Sequence, residues 1–413
     1  MSTDADAVPL DETLVFSDEL WQDGPPHEVF RRLRSECPVH WSPRFELFPE
    51  EAGYWSVTTA DDVFEVSRDW KTYSSEVGGI LATTEAGLPL PLMQSMFIAQ
   101  DPPKHDRLKA LFQRGFTPKR IAEHEDEIRG IVCRVLDGLE GRETCDLVDD
   151  VAQPVVSSVI GRFMGLDPAD DVRWARLLYM IIAANDEKVN PEGMETVMQR
   201  DIPEVFARCA ALIAERRENP TDDLTSVLVH AEIDGERLEE HEIVMGFFLL
   251  MMAGNDSTKA TYCSAMRALL DNPDQRQLLI DDPSLIPSAV EESLRMFPAF
   301  AHFRRTATKD TELHGCPIAK GDKVVMWYVS SNRDETRYEN PDEFDVTRNP
   351  EHQAFGAGGR HFCLGTALAR LELKILLEET LKRFPDMTLD GEPEHVLSGF
   401  ANQLRVLPVR LHG

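Results

Sequence analysis

The residues with the clearest potential for chemistry lie in the segment 355–365, where Cys363 follows a glycine-rich stretch and precedes an amphipathic helical pattern. A helix N-terminus offers free amides and the positive end of the helix dipole, so this position is predicted to lower the pKa of the thiol and to favour its thiolate. Glycines let the backbone approach a flat group without Cβ clashes. The arrangement suits a thiolate that binds iron from one side of a flat macrocycle.

A lone cysteine after glycines also has simpler interpretations. A single cysteine is often a small buried apolar residue. A glycine-rich loop before a helix often binds phosphate, but the Gly-Lys-Ser/Thr signature of such loops is missing here. Zinc is disfavoured because no second cysteine lies near Cys363 at ligand spacing.

A second set of reactive side chains interrupts a long helical pattern over 239–271. Its first half is apolar all round, which predicts a buried helix, and a polar run at 254–258 then breaks it. Buried polar groups cost free energy unless they are partnered. One interpretation is a helix kink whose hydroxyls bond to preceding carbonyls. The other is a relay in which the acid Asp256 and the alcohols Ser257 and Thr258 pass protons with ordered water.

Composition limits the class of protein. The 413 residues carry a formal net charge of −30, which argues against nonspecific binding to nucleic acid and against docking on anionic lipid. Residues 1–20 lack the pattern of a signal peptide, and the longest apolar run, 243–253, is too short to span a bilayer. The lack of a bilayer-spanning run predicts a protein without stable membrane insertion. The seven cysteines are scattered and odd in number, which predicts reduced thiols in a cytoplasmic protein.

The pattern along the chain predicts a mainly α protein with a minor β region, formed as one domain over 1–413. Helical patterns dominate, and strand-like pieces such as 54–58 are few. Residues 1–26 are interpreted as a loose N-terminal arm and 397–409 as a final hairpin. The apolar segment 78–100 is broken by Gly and Pro, so it is either a core-capping loop or a lid over a substrate pocket.

The segment 355–365 resembles the cysteine-ligand loop of the cytochrome P450 family, whose pattern is Phe-Gly-x-Gly-x-(His/Arg)-x-Cys-x-Gly. The matching residues are Phe355, Gly356, Gly358, His361, Cys363 and Gly365. The polar turn resembles the same family's oxygen-pocket motif, which is matched by Ala253, Gly254, Asp256 and Thr258, with Ser257 where threonine is more usual. The resemblance covers nearly the whole chain. It implies the single large helical body of the P450 fold, a haem b cofactor and Cys363 as the iron ligand.

The resemblance also implies which residues hold the haem. Family contacts to the haem propionates match His105, Arg305 and His361, and Lys109 stands where arginine is usual. Lysine can neutralise a carboxylate but cannot grip it with two parallel hydrogen bonds. The other implied cofactor contacts are Ala253, Gly254, Phe355, Gly356 and Gly365.

The resemblance also implies a buried network of charged side chains around residues 292–295. Glu292 and Arg295 share a helix face at i and i+3 and resemble the family's Glu-x-x-Arg pair. Arg348 would join them, and the network would serve folding and haem retention rather than catalysis.

Substrate contacts are expected from mostly apolar side chains around the pocket that the family implies, which favours a lipophilic molecule held by burial. The candidates are Leu90, Leu92, Met93, Met96, Phe97, Leu249, Met252, Ala299, Phe300, Ala301, His302 and Phe400.

Together these features imply a haem-thiolate monooxygenase that inserts one atom of O2 into a C–H bond of a terpenoid, steroid or branched lipid. No flavin or iron–sulfur motif is evident, so electrons would come from a separate ferredoxin, of the 2Fe–2S type or similar, and a reductase that uses NAD(P)H. The basic run 104–120 would dock the acidic ferredoxin, and the chain is expected to be a monomer. The alternatives are a peroxide-driven haem oxygenase and a non-catalytic haem-binding sensor or recruitment module.

Overall fold

The computed structural model describes residues 9–83, 89–113, 115–183, 186–233 and 235–412. Helices dominate it, as the sequence predicts. The α-helices are α1 (Asp18–Trp21), α2 (His27–Glu36), α3 (Ala60–Arg68), α4 (Leu90–Met93), α5 (Lys104–Gln113), α6 (Pro118–Ala122), α7 (Glu125–Asp137), α8 (Gln153–Met164), α9 (Asp171–Ile182), α10 (Met194–Thr196), α11 (Ile202–Glu218), α12 (Leu224–Val229), α13 (Glu240–Asp271), α14 (Pro273–Asp281), α15 (Ile286–Met296), α16 (Tyr328–Ser331) and α17 (Thr366–Arg383). Short 3-10 helices lie at Leu10–Glu12, Phe97–Ala99, Pro168–Asp170 and Pro283–Leu285, and π-helical turns at Leu147–Ala152 and Val197–Asp201.

The strands are short and form small sheets. They are β1 (Val39–Ser42), β2 (Tyr54–Val57), β3 (Tyr73–Ser74), β4 (Thr144–Asp146), β5 (Glu232–Ile233), β6 (Glu236–Arg237), β7 (His302–Ala307), β8 (Thr311–Leu313), β9 (Cys316–Ile318), β10 (Lys323–Trp327), β11 (Thr388–Leu389), β12 (Glu394–His395), β13 (Leu404–Val406) and β14 (Pro408–Arg410). The largest sheet has the order β1-β2-β10-β7-β3, in which the β2–β10 pair is parallel and the others are antiparallel.

Helix α13 forms the centre of the fold, and its start differs by one residue from the predicted 239–271. A reciprocal cap starts it, because Glu239 accepts from the third helical amide while the Glu242 side chain accepts from the Glu239 amide. Most of the helix is buried against α8, α11 and α17, which explains why it has no polar face. None of the helices in the described part of the chain is both long and apolar enough to cross a membrane.

Strand β10 connects two parts of the core. All five of its residues are buried because β2 and β7 flank it and both faces of the sheet are covered. Val325 and Trp327 point to the cluster that includes the N-terminal arm, whereas Val324 and Met326 point to the cluster beside α3. This alternation follows from the two-residue period of a strand.

The described part of the predicted arm, residues 9–26, is not loose, contrary to the sequence prediction, and residues 1–8 lie outside the described residues. Over residues 9–26, Val15 and Trp21 are buried, and the Trp21 indole donates to the Val15 carbonyl at 2.7 Å. The Phe16 ring lies 4.7 Å from the Trp327 ring, centroid to centroid. The apolar residues of the arm have no regular period, so their docking on the sheet depends on tertiary contacts that the local pattern does not contain.

The predicted hairpin over 397–409 is wrong in its pairing. Strands β13 and β14 lie there, but β13 pairs with β12, and β14 lies between β11 and β4. A single residue, Leu407, separates β13 from β14, which is too little chain for the two strands to fold back on each other.

Candidate active site

The loop before α17 holds Cys363 through glycine conformations that other residues rarely adopt. Gly356 and Gly358 have φ angles of 92° and 84°. A Cβ on Gly359 would lie 2.9 Å from a backbone oxygen of α3, so the loop approaches that helix more closely than a side chain would permit. The Cys363 amide donates to the Phe355 carbonyl at 2.9 Å and closes the loop.

The Cys363 thiol does not have the lowered pKa that its position predicted. Part of the residue is accessible to solvent, but the thiol lies deep in the fold, and this burial raises its pKa. The amide of Gly365 and the charges of Lys109 and Arg370 act in the opposite direction without reversing the shift. Helix α17 begins only at Thr366, so Cys363 precedes the first helical residue by three positions, and the dipole effect weakens outside the first turn. A bound metal cation would stabilise the thiolate.

Lys109, a predicted propionate contact, joins two elements in this structure. Its ammonium donates to the carbonyls of Arg360 at 2.5 Å and Phe362 at 2.6 Å. The charge therefore ties α5 to the cysteine loop, and its contact with a haem carboxylate stays a prediction. A flexible four-carbon stem with a compact ammonium can reach backbone oxygens in this way, whereas a planar guanidinium suits paired carboxylate oxygens.

Three side chains beside the cysteine loop, two of them buried and His361 half-buried, fit a negatively charged group. Arg305 is buried and, among the described residues, makes no salt bridge; its Nη1 donates to the Arg304 carbonyl at 2.8 Å. The His105 and His361 rings lie 4.2 Å apart, and the His105 Nε2 has no partner in the described structure. Burial lowers the pKa of all three groups. Buried cations are stable only when paired, so these residues, together with Cys363, fit the carboxylates and the iron of haem.

In the polar turn of α13, the Asp256 side chain is buried in the protein and does not line the apolar cavity described below. Asp256 forms a buried ion pair with Lys259 and accepts from the Asn255 side chain at 3.2 Å. Lys259 also donates to Gln153 at 2.7 Å and lies 4.2 Å from the centre of the Tyr179 ring. Both oxygens of Asp256 are thus engaged. The sequence analysis missed Lys259, although a cation three residues after an acid in a helix is a recognisable signal.

Ser257 and Thr258 face different surroundings. Ser257 is half-buried, and its hydroxyl donates to the Ala253 carbonyl at 2.7 Å. Ala253 itself is exposed to the apolar cavity described below. Thr258 is buried and donates to Oε2 of Glu372 on α17 at 2.7 Å. Of the three predicted proton-handling residues, Ser257 therefore lies nearest to open space.

Gly254 allows close helix packing, and the cofactor contact predicted for it stays a prediction. A Cβ at this position would lie 2.7 Å from the side chain of Ile160 on α8. The missing side chain thus allows α8 and α13 to approach closely beside the polar turn.

Glu372 is a buried titratable group that the sequence analysis missed. Burial raises its pKa from 4.5 to about 8, while the hydrogen bond from Thr258 lowers it in part. The sequence signal that could have identified it is its position directly before Leu373, which is buried on the core side of α17.

We expect Glu372→Gln to flatten the dependence of stability on pH. Because the folded pKa lies above the unfolded value, the folded protein binds more protons between about pH 4.5 and 8, and its stability falls as pH rises through this range. The loss in the wild type amounts to about 5 kcal/mol at most. The free energy of unfolding, measured in urea from pH 5 to 8.5, checks this, with exposed Glu140→Gln as the control. Parallel curves for wild type and Glu372→Gln would contradict it.

An apolar cavity of about 330 Å³ lies between the N-terminal arm, the segment 78–100, α13 and the chain around β7. The predicted substrate contacts that line it are Met93, Met96, Leu249, Met252, Phe300, His302 and Phe400. Apolar lining residues that the sequence analysis missed include Phe16, Phe45, Phe48, Ile181 and Phe248. The missed residues come from segments distant in sequence, and no local pattern connects them to the cavity.

The remaining predicted contacts lie outside the described cavity lining. Leu90 is half-buried and Leu92 is 40% exposed on the short helix α4, whose turn directs Met93 inward instead. Phe97 packs against the aromatic ring of α5 at 5.3 Å between centroids. Ala299 and Ala301 flank Phe300 in a bent segment before β7, and neither belongs to the described lining. The roles expected for these residues stay predictions.

The network of Glu292, Arg295 and Arg348 has the buried geometry that the sequence predicted. Glu292 and Arg295 are fully buried and joined by two hydrogen bonds of 2.7 and 2.8 Å. Arg348 reaches Glu292 at 3.1 Å. Arg295 also donates to the carbonyls of Asn332 and Pro341, so one side chain fixes α15 to the irregular segment before the cysteine loop.

Comparisons with known proteins place the chain among relatives of one family. The family model described as cytochrome P450 matches residues 280–396. A methyl-branched lipid omega-hydroxylase of Mycobacterium tuberculosis is 36% identical over 411 residues and covers 97% of this chain and 95% of the relative. A steroid C26-monooxygenase of the same organism is 36% identical over 393 residues, 92% of each chain. A Mycobacterium marinum cytochrome P450 solved in complex with pseudoionone is 35% identical, with a TM-score of 0.88 over 93% of this chain and 94% of that chain.

The chain belongs to the cytochrome P450 family. It is an oxidoreductase of the monooxygenase class, and the predicted fold class is confirmed. The relatives do not favour the alternatives of a peroxide-driven oxygenase or a haem-binding sensor.

Proposed function

We propose that this monooxygenase inserts one atom of dioxygen into a C–H bond of a branched, lipophilic small molecule. Electrons would come from NAD(P)H through a separate reductase and ferredoxin. The observation that carries the proposal is the apolar cavity that reaches Ala253, one helical turn before Ser257. A substrate in this cavity would lie beside the only break in the apolar run of α13.

The residues around Cys363 support haem b as the cofactor. Cys363 would ligate the iron, and Arg305, His105 and His361 would face the carboxylates of the ring. When bound, haem supplies an iron centre that activates dioxygen, with the thiolate favouring O–O cleavage. The chain's own contribution is to hold the thiolate in a loop that Lys109 ties to α5.

The cavity supports a branched terpenoid, steroid or lipid as the substrate class. Its walls are mainly phenylalanine, methionine, leucine and isoleucine side chains, and such walls bind by excluding water rather than by directed hydrogen bonds. Methionine side chains adapt to irregular shapes, which suits a branched chain. The relatives include proteins named for methyl-branched lipids and for steroids, and both names agree with this class.

Proton delivery would depend on Ser257 in the first place. Its hydroxyl donates to the Ala253 carbonyl, so its lone pairs can accept from water in the cavity and its proton can be exchanged along such water. Asp256 is held by Lys259 and Asn255, so it can act as an acid toward Ser257 only when this pair rearranges. Thr258 is committed to Glu372 and has no such role in this arrangement.

We expect Ser257→Thr to reduce the peroxide released per substrate oxidised, by about twofold, because a β-branched side chain holds its hydroxyl in fewer rotamers. The measurement is the ratio of peroxide to product under steady turnover, for the wild type and the variant. Thr258→Ser, at the neighbouring position that faces Glu372, should leave this ratio unchanged. An equal or higher ratio in Ser257→Thr would contradict the prediction.

Unpaired thiols support a cytoplasmic location. All seven cysteines lie in the described residues, and none forms a disulfide. This is the state that a reducing compartment maintains. The monomeric state predicted from the sequence stays a prediction.

Turnover with a defined redox chain tests the function. The holoenzyme, a ferredoxin, its reductase and NAD(P)H are combined with branched lipids, terpenoids and steroids under isotopically labelled dioxygen. The proposal requires product that carries one labelled oxygen atom and that depends on the ferredoxin. Oxidation with peroxide alone at an equal rate would favour the peroxide-driven alternative, and ligand binding without any oxidation would favour the sensor.

A further inference from the structure

The apolar cavity has charged groups of only one sign in its described lining. Asp18, at the start of α1, and Glu46, in the loop between β1 and β2, both line it, and no lysine or arginine does. The Asp18 amide donates to the Glu46 carboxylate at 3.3 Å, so the two residues are neighbours. Neither carboxylate forms a salt bridge with another described residue. Both belong to the outer part of the cavity, where Leu47 is 53% exposed.

The environment of Asp18 already disfavours negative charge. Partial burial and the neighbouring Glu46 both raise its pKa. A third carboxylate brought to the same place would meet both the lost solvation and two like charges. A neutral hydroxyl would instead find two carboxylates that act only as hydrogen-bond acceptors.

A second, separate group in the cavity wall also accepts and does not donate. His302 is 2% exposed, and its Nδ1 lies 2.9 Å from the Gly399 carbonyl. That carbonyl can only accept, so Nδ1 carries the proton, and burial lowers the His302 pKa to about 3, which keeps the ring neutral. Nε2 is then a bare acceptor, and it has no partner in the described structure. This nitrogen has almost no accessible surface, so His302 adds no hydrogen-bond donor to the cavity wall.

The hydroxyl side chains in the cavity wall do not change the excess of hydrogen-bond acceptors over donors. Thr83 and Ser398 line the cavity, and a hydroxyl can donate or accept. Ser398 accepts from two backbone amides, at 2.9 and 3.1 Å, which leaves only its single O–H to offer. No cationic side chain in the described lining could neutralise a carboxylate.

We propose that the substrate is a branched lipophilic alcohol rather than a carboxylic acid, and that Asp18 and Glu46 determine this specificity by repelling anionic ends. This inference rests on the proposed function and narrows its substrate class. The two carboxylates bind no metal and perform no chemistry; they select among molecules whose apolar part fits the cavity.

Matched ligands test the inference. Geraniol and geranic acid share one branched chain and differ in the polar end, and their dissociation constants for the holoenzyme are measured calorimetrically at pH 7.5. An anion is better solvated by water than an alcohol, so the wild-type ratio alone is not diagnostic. The diagnostic quantity is the change in that ratio when Asp18→Asn and Glu46→Gln are combined.

We expect the double variant to bind geranic acid about tenfold more tightly than the wild type does, with geraniol changed by less than about twofold. Glu19→Gln, an exposed acid next to Asp18 that does not line the cavity, should leave both constants unchanged. The inference is overturned if the double variant leaves the ratio within twofold of the wild type. It is also overturned if neither ligand binds the wild type at millimolar concentration.

Oxidation of the bound ligand is measured separately. A shifted binding ratio without ferredoxin-dependent oxidation would leave the inference standing and contradict the proposed function. Oxidation of both ligands with an unchanged ratio of dissociation constants would contradict the inference and leave the proposed function standing.

Discussion

Cys363→Ser should abolish thiolate ligation and, with it, turnover. A serine hydroxyl at this position is a poor iron ligand, and burial, which already raises the pKa of the Cys363 thiol, would oppose an alkoxide still more strongly. We expect the reduced, carbon-monoxide-treated protein to lose the thiolate type of difference spectrum and turnover to fall by more than about 100-fold, or about 2.7 kcal/mol at the barrier.

Cys316→Ser is the matched control for that experiment. Cys316 is half-buried on β9, and its sulfur lies 3.5 Å from the Val39 carbonyl, outside the cysteine loop. Its replacement should keep both the spectrum and the activity. A thiolate-type spectrum that persists in Cys363→Ser would remove the basis for the assignment of the iron ligand.

Arg295→Met should have the largest effect on stability. The change keeps a long side chain but removes two hydrogen bonds to Glu292 and three to backbone carbonyls. Glu292 would then remain buried with only Arg348 as a counter-charge. Breaking a buried pair from one side costs about 3–5 kcal/mol, so we expect a matching fall in the free energy of unfolding and a lower ratio of haem to protein.

Two controls distinguish this buried network from an ordinary ion pair. Arg31 and Glu28 form a pair with the same i,i+3 spacing on α2, but both are more than half exposed, so Arg31→Met should cost less than about 1 kcal/mol. The double change Glu292→Met with Arg295→Met leaves no uncompensated carboxylate and should be milder than Arg295→Met alone. Equal losses for Arg295→Met and Arg31→Met, measured in urea, would show that burial of the pair has no energetic consequence.

The sequence predicted those parts of the site that depend on local rules. Glycine positions specified the turns around Cys363, and the polar break located the functional turn of α13. A short spacing placed Glu292 beside Arg295. Each of these features needs only a few neighbouring residues to define it, so the chain pattern contains them.

What the sequence could not predict depends on contacts between distant segments. The Lys109 ammonium donates to the carbonyl of Arg360, a residue far away in sequence, so only the folded structure shows this contact. Thr258 turns to Glu372 because α17 crosses α13 at that level. Leu92 and Met93 are equally apolar and adjacent, and the orientation of one short helix decides which of them faces the cavity.

The placement of Phe16 and Asp18 has a thermodynamic consequence for the beginning of the polypeptide. Both residues belong to the wall of the cavity and to the N-terminal arm, described over residues 9–26. A molecule that binds only when this segment is docked adds its own binding free energy to the docking equilibrium. Ligand affinity and protection of the amino-terminal amides from hydrogen exchange are therefore two measures of one coupled equilibrium.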